Sequence, residues 1–181
     1  MAYQKTYTKD EARFMLQVYE GAKAFRGVNA AHQIQRHGAA AHPSIHGGSG
    51  FDEQRARVNT PDEPRTTGTF HTQDQQIEAL THALNSVAGQ VALGQLDHNP
   101  TQREIKFNAG LPPHQFQMTN HADKSSKLDA HNNPLPGHVA KKSVARVGAG
   151  STQTQANATG IFVFAMRAPG GKLLIQTCYP T

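Results

Sequence analysis

The stretch from Ala31 to Gly38 combines side chains that can transfer protons and bind anions. It contains two imidazoles, a guanidinium and an apolar anchor. On a helix, residues three or four apart are neighbours, so Ile34 shares a face with His37, and His32 shares another with Arg36. A helix docked through Ile34 brings His37 to the edge of its buried face. From there the imidazole can project into a cleft as a general acid or base.

The last residues of the chain carry a second set of reactive groups. A strand that ends in Gln176–Thr181 (QTCYPT) places Thr177 and Tyr179 on one face, because side chains alternate along a strand. A hydroxyl and a phenol there can bind a phosphate oxygen and deliver a proton. In the simpler interpretation, which spacing alone favours, Tyr179 packs over the rim of the core with its hydroxyl in water.

A metal site is the alternative use of the histidines. The spacing of His37, His42 and His46 suits a loop, but no carboxylate or cysteine joins them, so this pattern is a weak metal signal. No glycine loop of the nucleotide-binding type is present. The remaining histidines stand among polar neighbours and are predicted to be solvated: His71, His82, His98, His114, His121, His131 and His138.

Composition limits the class of protein. The chain has 181 residues, enough for one domain, and a formal charge of +5 that favours an anionic partner such as nucleic acid, an acidic protein or anionic lipid. No apolar run is long enough to span a bilayer, and the first residues lack the apolar core of a signal peptide. A fragment of a larger exported protein would look the same. Cys178 is the only cysteine, so an internal disulfide is impossible.

Three helices are predicted before the strands. Thr8 with Glu11 forms a capping box at the start of the first helix, which runs to about Gly27. Asn29 caps the short helix that carries the two histidines. A second capping box, Thr72 with Gln75, starts a helix that runs to about Leu96. Apolar residues mark the buried faces: Phe14, Met15, Val18, Tyr19, Ala22 and Phe25 in the first helix, and Ile77, Leu80, Leu84, Val87 and Val91 in the third.

Beyond Pro100, apolar and polar residues alternate, which is the spacing typical of strands. Alternation predicts strands around Ile105 and Phe116 and a short one at Ser143–Val147, with a long loop from Asn120 to Gly137. The apolar runs Ile161–Arg167 and Lys172–Thr177 flank a turn and predict a hairpin of central strands. Helices first and antiparallel strands after indicate an α+β fold: N-terminal helices packed on a twisted antiparallel sheet, without disulfides.

Four short motifs occur in an order that resembles a known family. They are HQIQRH (His32–His37), DEQRAR (Asp52–Arg57), Thr69 with Phe70, and TCYP (Thr177–Pro180). The chain resembles the RNase A-like toxin domains at the C-terminus of bacterial contact-dependent inhibition and related polymorphic toxins. The resemblance spans roughly Phe25 to the last residue.

The resemblance implies metal-independent cleavage of RNA through its own 2′-hydroxyl, giving a 2′,3′-cyclic phosphate. It implies that His37 is the acid-base residue, with His32 as the alternative, and that Arg57 stabilises the phosphorane. Thr177 would orient the phosphate and Tyr179 would pair with His37. Arg55 and Arg65 compete with Arg57 for the arginine role.

The implied protein is a monomeric domain delivered as part of a larger toxin. It would act in the cytoplasm of the target bacterial cell, where its substrate would be RNA such as tRNA. It would need no cofactor and would be neutralised by a cognate acidic immunity protein. Residues 1–181 then form a single domain, in which 1–28 is either an accessory helix or part of the fold. Residues 29–181 are the ribonuclease-like unit, with long loops at about 39–68 and 120–140.

Two other functions stay open on the sequence. One is a basic module that binds nucleic acid or protein without catalysis, in which the histidines are surface residues and Tyr179 is packing. The other is a hydrolase that uses a histidine-bound metal. A chelator distinguishes the metal hydrolase from the metal-independent nuclease, and a mobility shift without cleavage identifies the binder.

Overall fold

Helices and antiparallel strands make up the described part of the chain, which confirms the predicted α+β class. The computed structural model describes residues 2–18, 66–123, 126–128, 145–147 and 151–181. The predicted helix with His32 and His37, and the stretch around Arg57, lie outside these residues. No helix within the described ranges is long and apolar enough to cross a membrane.

Helix α1 (Lys9–Val18) begins at the predicted capping box. The Glu11 amide donates to Thr8 Oγ1 at 3.2 Å, and the Thr8 amide donates to Glu11 Oε2 at 2.9 Å. The buried stripe consists of Ala12, Met15 and Leu16. Phe14, which was predicted on this stripe, is 54% exposed, because it lies about 100° or more around the helix from each of these residues. That part of the prediction was wrong.

The predicted third helix is two helices, α2 (Gln73–Asn85) and α3 (Val87–His98). Ser86 has an extended conformation between them, and its hydroxyl accepts from the Gly89 amide at 3.0 Å, so it caps a new helix. Val87 and Val91, predicted on the buried face, are 83% and 59% exposed. The break turns the apolar face of α3 away from the line expected for one continuous helix.

The capping box predicted at Thr72 is only half formed. Thr72 Oγ1 accepts from the Gln75 amide at 3.2 Å. The Gln75 side chain does not complete the box: its Oε1 accepts from the Gln117 amide at 3.1 Å. Gln75 therefore ties the start of α2 to a strand.

The described strands form three antiparallel sheets. The C-terminal sheet has the order β2–β7–β8, the middle sheet has the order β1–β3–β6, and β4 pairs with β5. The strands are β1 (Thr66–Phe70), β2 (Glu104–Gly110), β3 (Gln117–Asp123), β4 (Ser126–Leu128), β5 (Ala145–Val147), β6 (Ser151–Asn157), β7 (Gly160–Arg167) and β8 (Leu173–Pro180).

The predicted hairpin is β7–β8, but only β7 is central in its sheet. Gly170 and Gly171 in its turn have φ of 77° and 73°, which glycine adopts without strain. Strand β8 is at the edge of the C-terminal sheet, so the prediction that it is central was wrong. Its sequence resembles that of a central strand because β8 is buried along nearly its whole length. Part of the stretch predicted as a loop from Asn120 is strand, since β3 continues to Asp123 and β4 spans Ser126–Leu128.

The middle sheet approaches the C-terminal sheet at the end of β8. A Cβ added to Gly68 would lie 3.3 Å from the Pro180 carbonyl oxygen and 2.9 Å from Met118 Cε. The Thr181 amide donates to the Gly160 carbonyl at 2.8 Å, which fixes the end of β8 against β7. The end of the last strand is therefore held from two sides.

The main core lies between the helices and one face of the C-terminal sheet. It includes Leu80 and Leu84 of α2, Leu93 of α3, and Val163 and Cys178 of the sheet. The segment before α1 is tied to the other helices: the Tyr3 amide donates to Asp97 Oδ1 at 2.7 Å, and the Tyr7 amide to Asn85 Oδ1 at 2.8 Å. These hydrogen bonds hold the N-terminal segment against α2 and α3.

Candidate active site on the C-terminal sheet

A β-bulge near the end of β8 decides which way its side chains point. Phe164 pairs with Thr177, but Ala165 pairs with Ile175, so Gln176 is an extra residue on β8. Ile175 and Cys178 both belong to the core. The bulge therefore resets the alternation, and Thr177 is on the face away from the core.

Two rows of side chains cross this outer face, which we call the aromatic face. Strand register places three residues side by side in each row, one from each of β2, β7 and β8. The first row is Lys106, Phe164 and Thr177, and the second is Asn108, Phe162 and Tyr179. The predicted hydroxyl and phenol thus adjoin two aromatic rings and a cation on one face.

Thr177 carries a buried hydroxyl. The residue is 8% exposed, and its Oγ1 makes no hydrogen bond within the described part of the chain. Leaving a buried hydroxyl without a partner costs about 1–3 kcal/mol, so such a group marks a place where a polar partner is to be supplied. Thr177 Oγ1 is therefore a candidate donor to a ligand that displaces the groups covering it.

Thr69 has a similarly buried hydroxyl on β1. Its side chain is fully buried, and among the residues that the structure describes its Oγ1 also has no hydrogen-bond partner. It follows Gly68, which approaches Pro180 at the end of β8. Because side chains alternate along a strand, the Thr69 side chain lies on the opposite face of β1 from the Cβ position of Gly68 that meets Pro180.

Tyr179 is a protonated phenol at neutral pH. Its ring stacks on Phe162 with centroids 4.9 Å apart and an interplanar angle of 27°. Burial raises the pKa of Tyr179 above its usual value. The phenol can therefore donate a hydrogen bond or a proton, whereas its phenolate is disfavoured as a base.

Lys106 is a site residue that sequence reasoning missed. Its side chain is 55% exposed, and its Nζ lies 4.6 Å from the centre of the Phe164 ring and 3.6 Å from Glu104 Oε1. The alternating pattern around Ile105 predicts that Lys106 is on the wet face of β2. Only the strand register shows that this face also carries Thr177.

Cys178 belongs to the opposite face. It is fully buried, and the Gln76 side-chain amide of α2 lies 3.8 Å from its Sγ. In this position Cys178 serves as a packing residue rather than as a nucleophile.

The predicted site residues fall into two groups. Thr177 and Tyr179 lie on one face, two positions apart on β8. The other predicted residues lie outside the described residues: His32, His37 and Arg57, the competing Arg55 and Arg65, and the alternative metal ligands His42 and His46. Within the described ranges, no three histidine, cysteine, aspartate or glutamate side chains form a possible metal-binding group.

Two cavities lie away from the aromatic face. One, of about 590 Å³, is bounded by α1 and the hairpin turn and is lined by Tyr3, Tyr7, Met15 and Leu173 among others. The other, of about 210 Å³, is polar and includes His71, Gln117 and Asn157. Its His71 was predicted to be solvated, and it makes the smaller cavity a second place where an imidazole could act.

Comparisons with known proteins gave one distant similarity. The chain aligns with the crystal structure of a CdiA-CT/CdiI complex from Y. kristensenii 33638, with 15% identity and a TM-score of 0.44. The alignment covers 72% of this chain and 88% of that chain. No protein-family model and no curated protein matches the sequence. At this identity and TM-score the similarity establishes neither a shared fold nor a shared activity.

Proposed function

We propose that the chain is a metal-independent ribonuclease with an RNase A-like fold, and the toxic domain of a contact-dependent inhibition or related polymorphic toxin. The observation that carries the proposal is the arrangement on the aromatic face. A buried Thr177 hydroxyl, with no partner in the described part of the chain, lies beside the protonated phenol of Tyr179. Hydroxyl donors fixed in a partly dry site are suited to a phosphate whose charge develops during reaction.

The reaction is an in-line transphosphorylation. A base, assigned to His37 with His32 as the alternative, removes the proton of the 2′-hydroxyl. The freed oxygen bonds to its own phosphorus while the bond from phosphorus to the 5′-oxygen breaks, and an acid protonates that leaving oxygen. Arg57 would stabilise the phosphorane with paired hydrogen bonds. Thr177 would donate to a phosphate oxygen.

Tyr179 supports this reaction as a donor. Because burial raises its pKa, the phenol keeps its proton at the pH at which an imidazole titrates. It would hydrogen-bond to His37 or to the phosphate rather than act as the base. RNA is the substrate because DNA lacks the 2′-hydroxyl that attacks.

The decisive experiment maps the ends of cleaved RNA. Total RNA is incubated with the full chain in the presence of EDTA, and the new termini are identified chemically. We expect 2′,3′-cyclic phosphates and free 5′-hydroxyls. Cleavage that EDTA abolishes would favour the histidine-metal hydrolase instead, and 5′-phosphate ends would contradict transphosphorylation.

A matched pair of histidine variants tests the location of the site. We expect His37→Ala to remove cleavage and His71→Ala, in the polar cavity, to retain it. A His37→Ala protein with undiminished activity would contradict the assignment. If His71→Ala were the inactive variant, the polar cavity would be the site.

The second candidate function is a non-catalytic module that binds nucleic acid. The exposed Lys106 over the Phe164 ring favours it as well, since cations and aromatic rings are the common elements of such surfaces. A gel-mobility shift of RNA that stays intact would identify the binder.

The biological setting follows from the family resemblance. The domain would be delivered as part of a larger toxin, act as a monomer in the cytoplasm of the target cell, and be neutralised by a cognate immunity protein. An acidic surface on that partner would match the formal charge of +5 on this chain. Co-expression with a candidate immunity protein tests this: growth should recover only when the two proteins form a complex.

A further inference from the structure

The aromatic face continues from the proposed reaction site to the edge of the C-terminal sheet. Thr177, Phe164 and Lys106 are neighbours on consecutive strands β8, β7 and β2. Since paired strands are about 4.8 Å apart, the row extends about 10 Å from Thr177 to Lys106. This length exceeds what one phosphate needs, so the row offers contacts to the part of a substrate beside the reacting group.

The chemistry of the row matches the parts of a nucleotide. The Phe164 ring is partly exposed, as is the Phe162 ring beside it. The Lys106 ammonium lies 4.6 Å from the Phe164 ring centre at the solvent-exposed edge. Aromatic rings stack on nucleobases of any sequence, and a lysine binds backbone phosphates. Polar ends with an aromatic centre therefore suit a single strand laid across the strands.

We propose that this row is a binding subsite for one unpaired nucleotide beside the cleaved bond, with its base on Phe164 and an adjacent phosphate on Lys106. The subsite rests on the proposed ribonuclease function and specifies the substrate as single-stranded RNA. In a duplex the bases are stacked on each other, so their faces are closed to Phe164. Loops and unpaired ends are then the preferred targets.

Direct binding tests the subsite without catalysis. The probe is a labelled single-stranded 2′-O-methyl oligonucleotide, which lacks the nucleophile and stays intact, and its affinity for the full chain is measured by fluorescence anisotropy. We expect Phe164→Leu to weaken binding about tenfold, within the range for loss of one stacked base. Phe164→Tyr, which keeps a ring, should bind like the wild type.

A lysine pair tests the phosphate contact. Lys106→Gln should reduce the slope of log affinity against log salt by about 0.7, the value for one phosphate contact on a single strand. The control is Lys172→Gln, an exposed lysine beside the cavity next to α1, which should leave the slope unchanged. The two variants remove the same charge, so a difference between them reports position.

The outcomes separate the subsite from the ribonuclease proposal. Wild-type affinity in both Phe164→Leu and Lys106→Gln would overturn the subsite, even if RNA acquires cyclic-phosphate ends. Equal affinity for the single strand and its duplex would also overturn it. Weakened binding by both variants, with no cleavage of RNA by the wild type, would support the subsite and contradict the ribonuclease. Circular dichroism melts of each variant confirm that the protein is folded.

Discussion

The Thr177 hydroxyl is expected to contribute to activity and not to stability. It is buried, and within the described residues nothing hydrogen-bonds to it. A group retained at a cost in stability is expected at a functional position. Most substitutions of buried residues lose both properties together, whereas this one should not.

The Thr177→Val variant tests this role, because it replaces the hydroxyl with a methyl group of similar size. We expect the free energy of unfolding to stay the same or rise by up to about 1–3 kcal/mol, because a buried polar group without a partner is removed. RNA cleavage should fall about 100-fold, as for loss of one donor to a developing charge. Urea denaturation and a cleavage assay measure the two effects.

Thr177→Ser is the matched control, because it retains the hydroxyl and should retain most of the activity. A Thr177→Val protein that is active, or one that is destabilised like its neighbours in the core, would show that the hydroxyl has a structural partner instead.

Ionisation of Tyr7 is expected to lower the free energy of unfolding at alkaline pH. Its hydroxyl donates to the Tyr3 carbonyl at 2.7 Å, and burial, followed by the nearby Glu11 and Asp97 carboxylates, raises its pKa. A folded-state pKa above the unfolded value of about 10 means that the stabilisation is complete below pH about 10 and is lost as the pH rises toward the folded value.

We therefore expect Tyr7→Phe to lower the free energy of unfolding by about 1 kcal/mol at neutral pH, through the lost hydrogen bond. The loss of stability from pH about 9 to about 11 should be smaller than in the wild type, because one buried phenol no longer ionises. Urea titrations at both pH values check this. An equal alkaline loss in the two proteins would exclude Tyr7 as a source of the dependence.

At the scale of elements, the joint between α2 and α3 depends on Gly89. A Cβ on Gly89 would lie 2.1 Å from the carbonyl oxygen of Ala83, which is backbone and cannot rotate away. In Gly94, on the same helix, the nearest atom to an added Cβ is Nε2 of the Gln4 side chain, at 2.7 Å. A side-chain end can move, so the two glycines should respond oppositely to the same change.

Gly89→Ala is predicted to destabilise the protein by about 1–3 kcal/mol through overpacking at the joint. Gly94→Ala should be neutral or stabilise it by up to about 1 kcal/mol, since alanine favours the helix. Thermal melts of the two variants measure the difference. Equal melting temperatures would contradict the close approach of Gly89 to the Ala83 carbonyl oxygen.

The elements that sequence could predict are those with a local signal. The capping box at Thr8 and the hairpin of β7 and β8 follow from side-chain type and spacing over a few residues. Strands β1 and β6 could not be predicted, because TTGTF and STQTQAN lack apolar alternation and become strands only by pairing with β3. The break at Ser86 was missed because the apolar period continues through it.

The site was predictable in part for the same reason. Alternation on one strand was enough to expect Thr177 and Tyr179 on a common face. Lys106 and Phe164 join them only through the register between strands, and that register depends on long-range pairing which one sequence does not reveal.

At the scale of the whole molecule, the two larger sheets meet at Gly68. An added Cβ at Gly68 would lie 3.3 Å from the Pro180 backbone carbonyl oxygen, which is a tight contact, whereas at Gly110 nothing lies within 4 Å of an added Cβ. The distance between β1 and the end of β8 therefore suits a residue without a side chain at this position.

Gly68→Val is predicted to force the sheets apart and lower stability by about 1–3 kcal/mol. It should also reduce RNA cleavage, because the end of β8 is displaced. Gly110→Val, at the exposed end of β2, should change neither property by much. Melting temperatures and initial rates test this, and a fully active, fully stable Gly68→Val protein would show that the junction tolerates separation.

The extra residue at Gln176 has a consequence for comparing this chain with its relatives. Beyond this residue, the positions that face the core and the positions that face away from it are shifted by one along the last strand. A relative that lacks this insertion would need its threonine and tyrosine one position earlier along the strand to keep them on the aromatic face. Two such proteins could share the same chemistry although an alignment without a gap at this position would pair a buried cysteine of one with a reactive hydroxyl of the other.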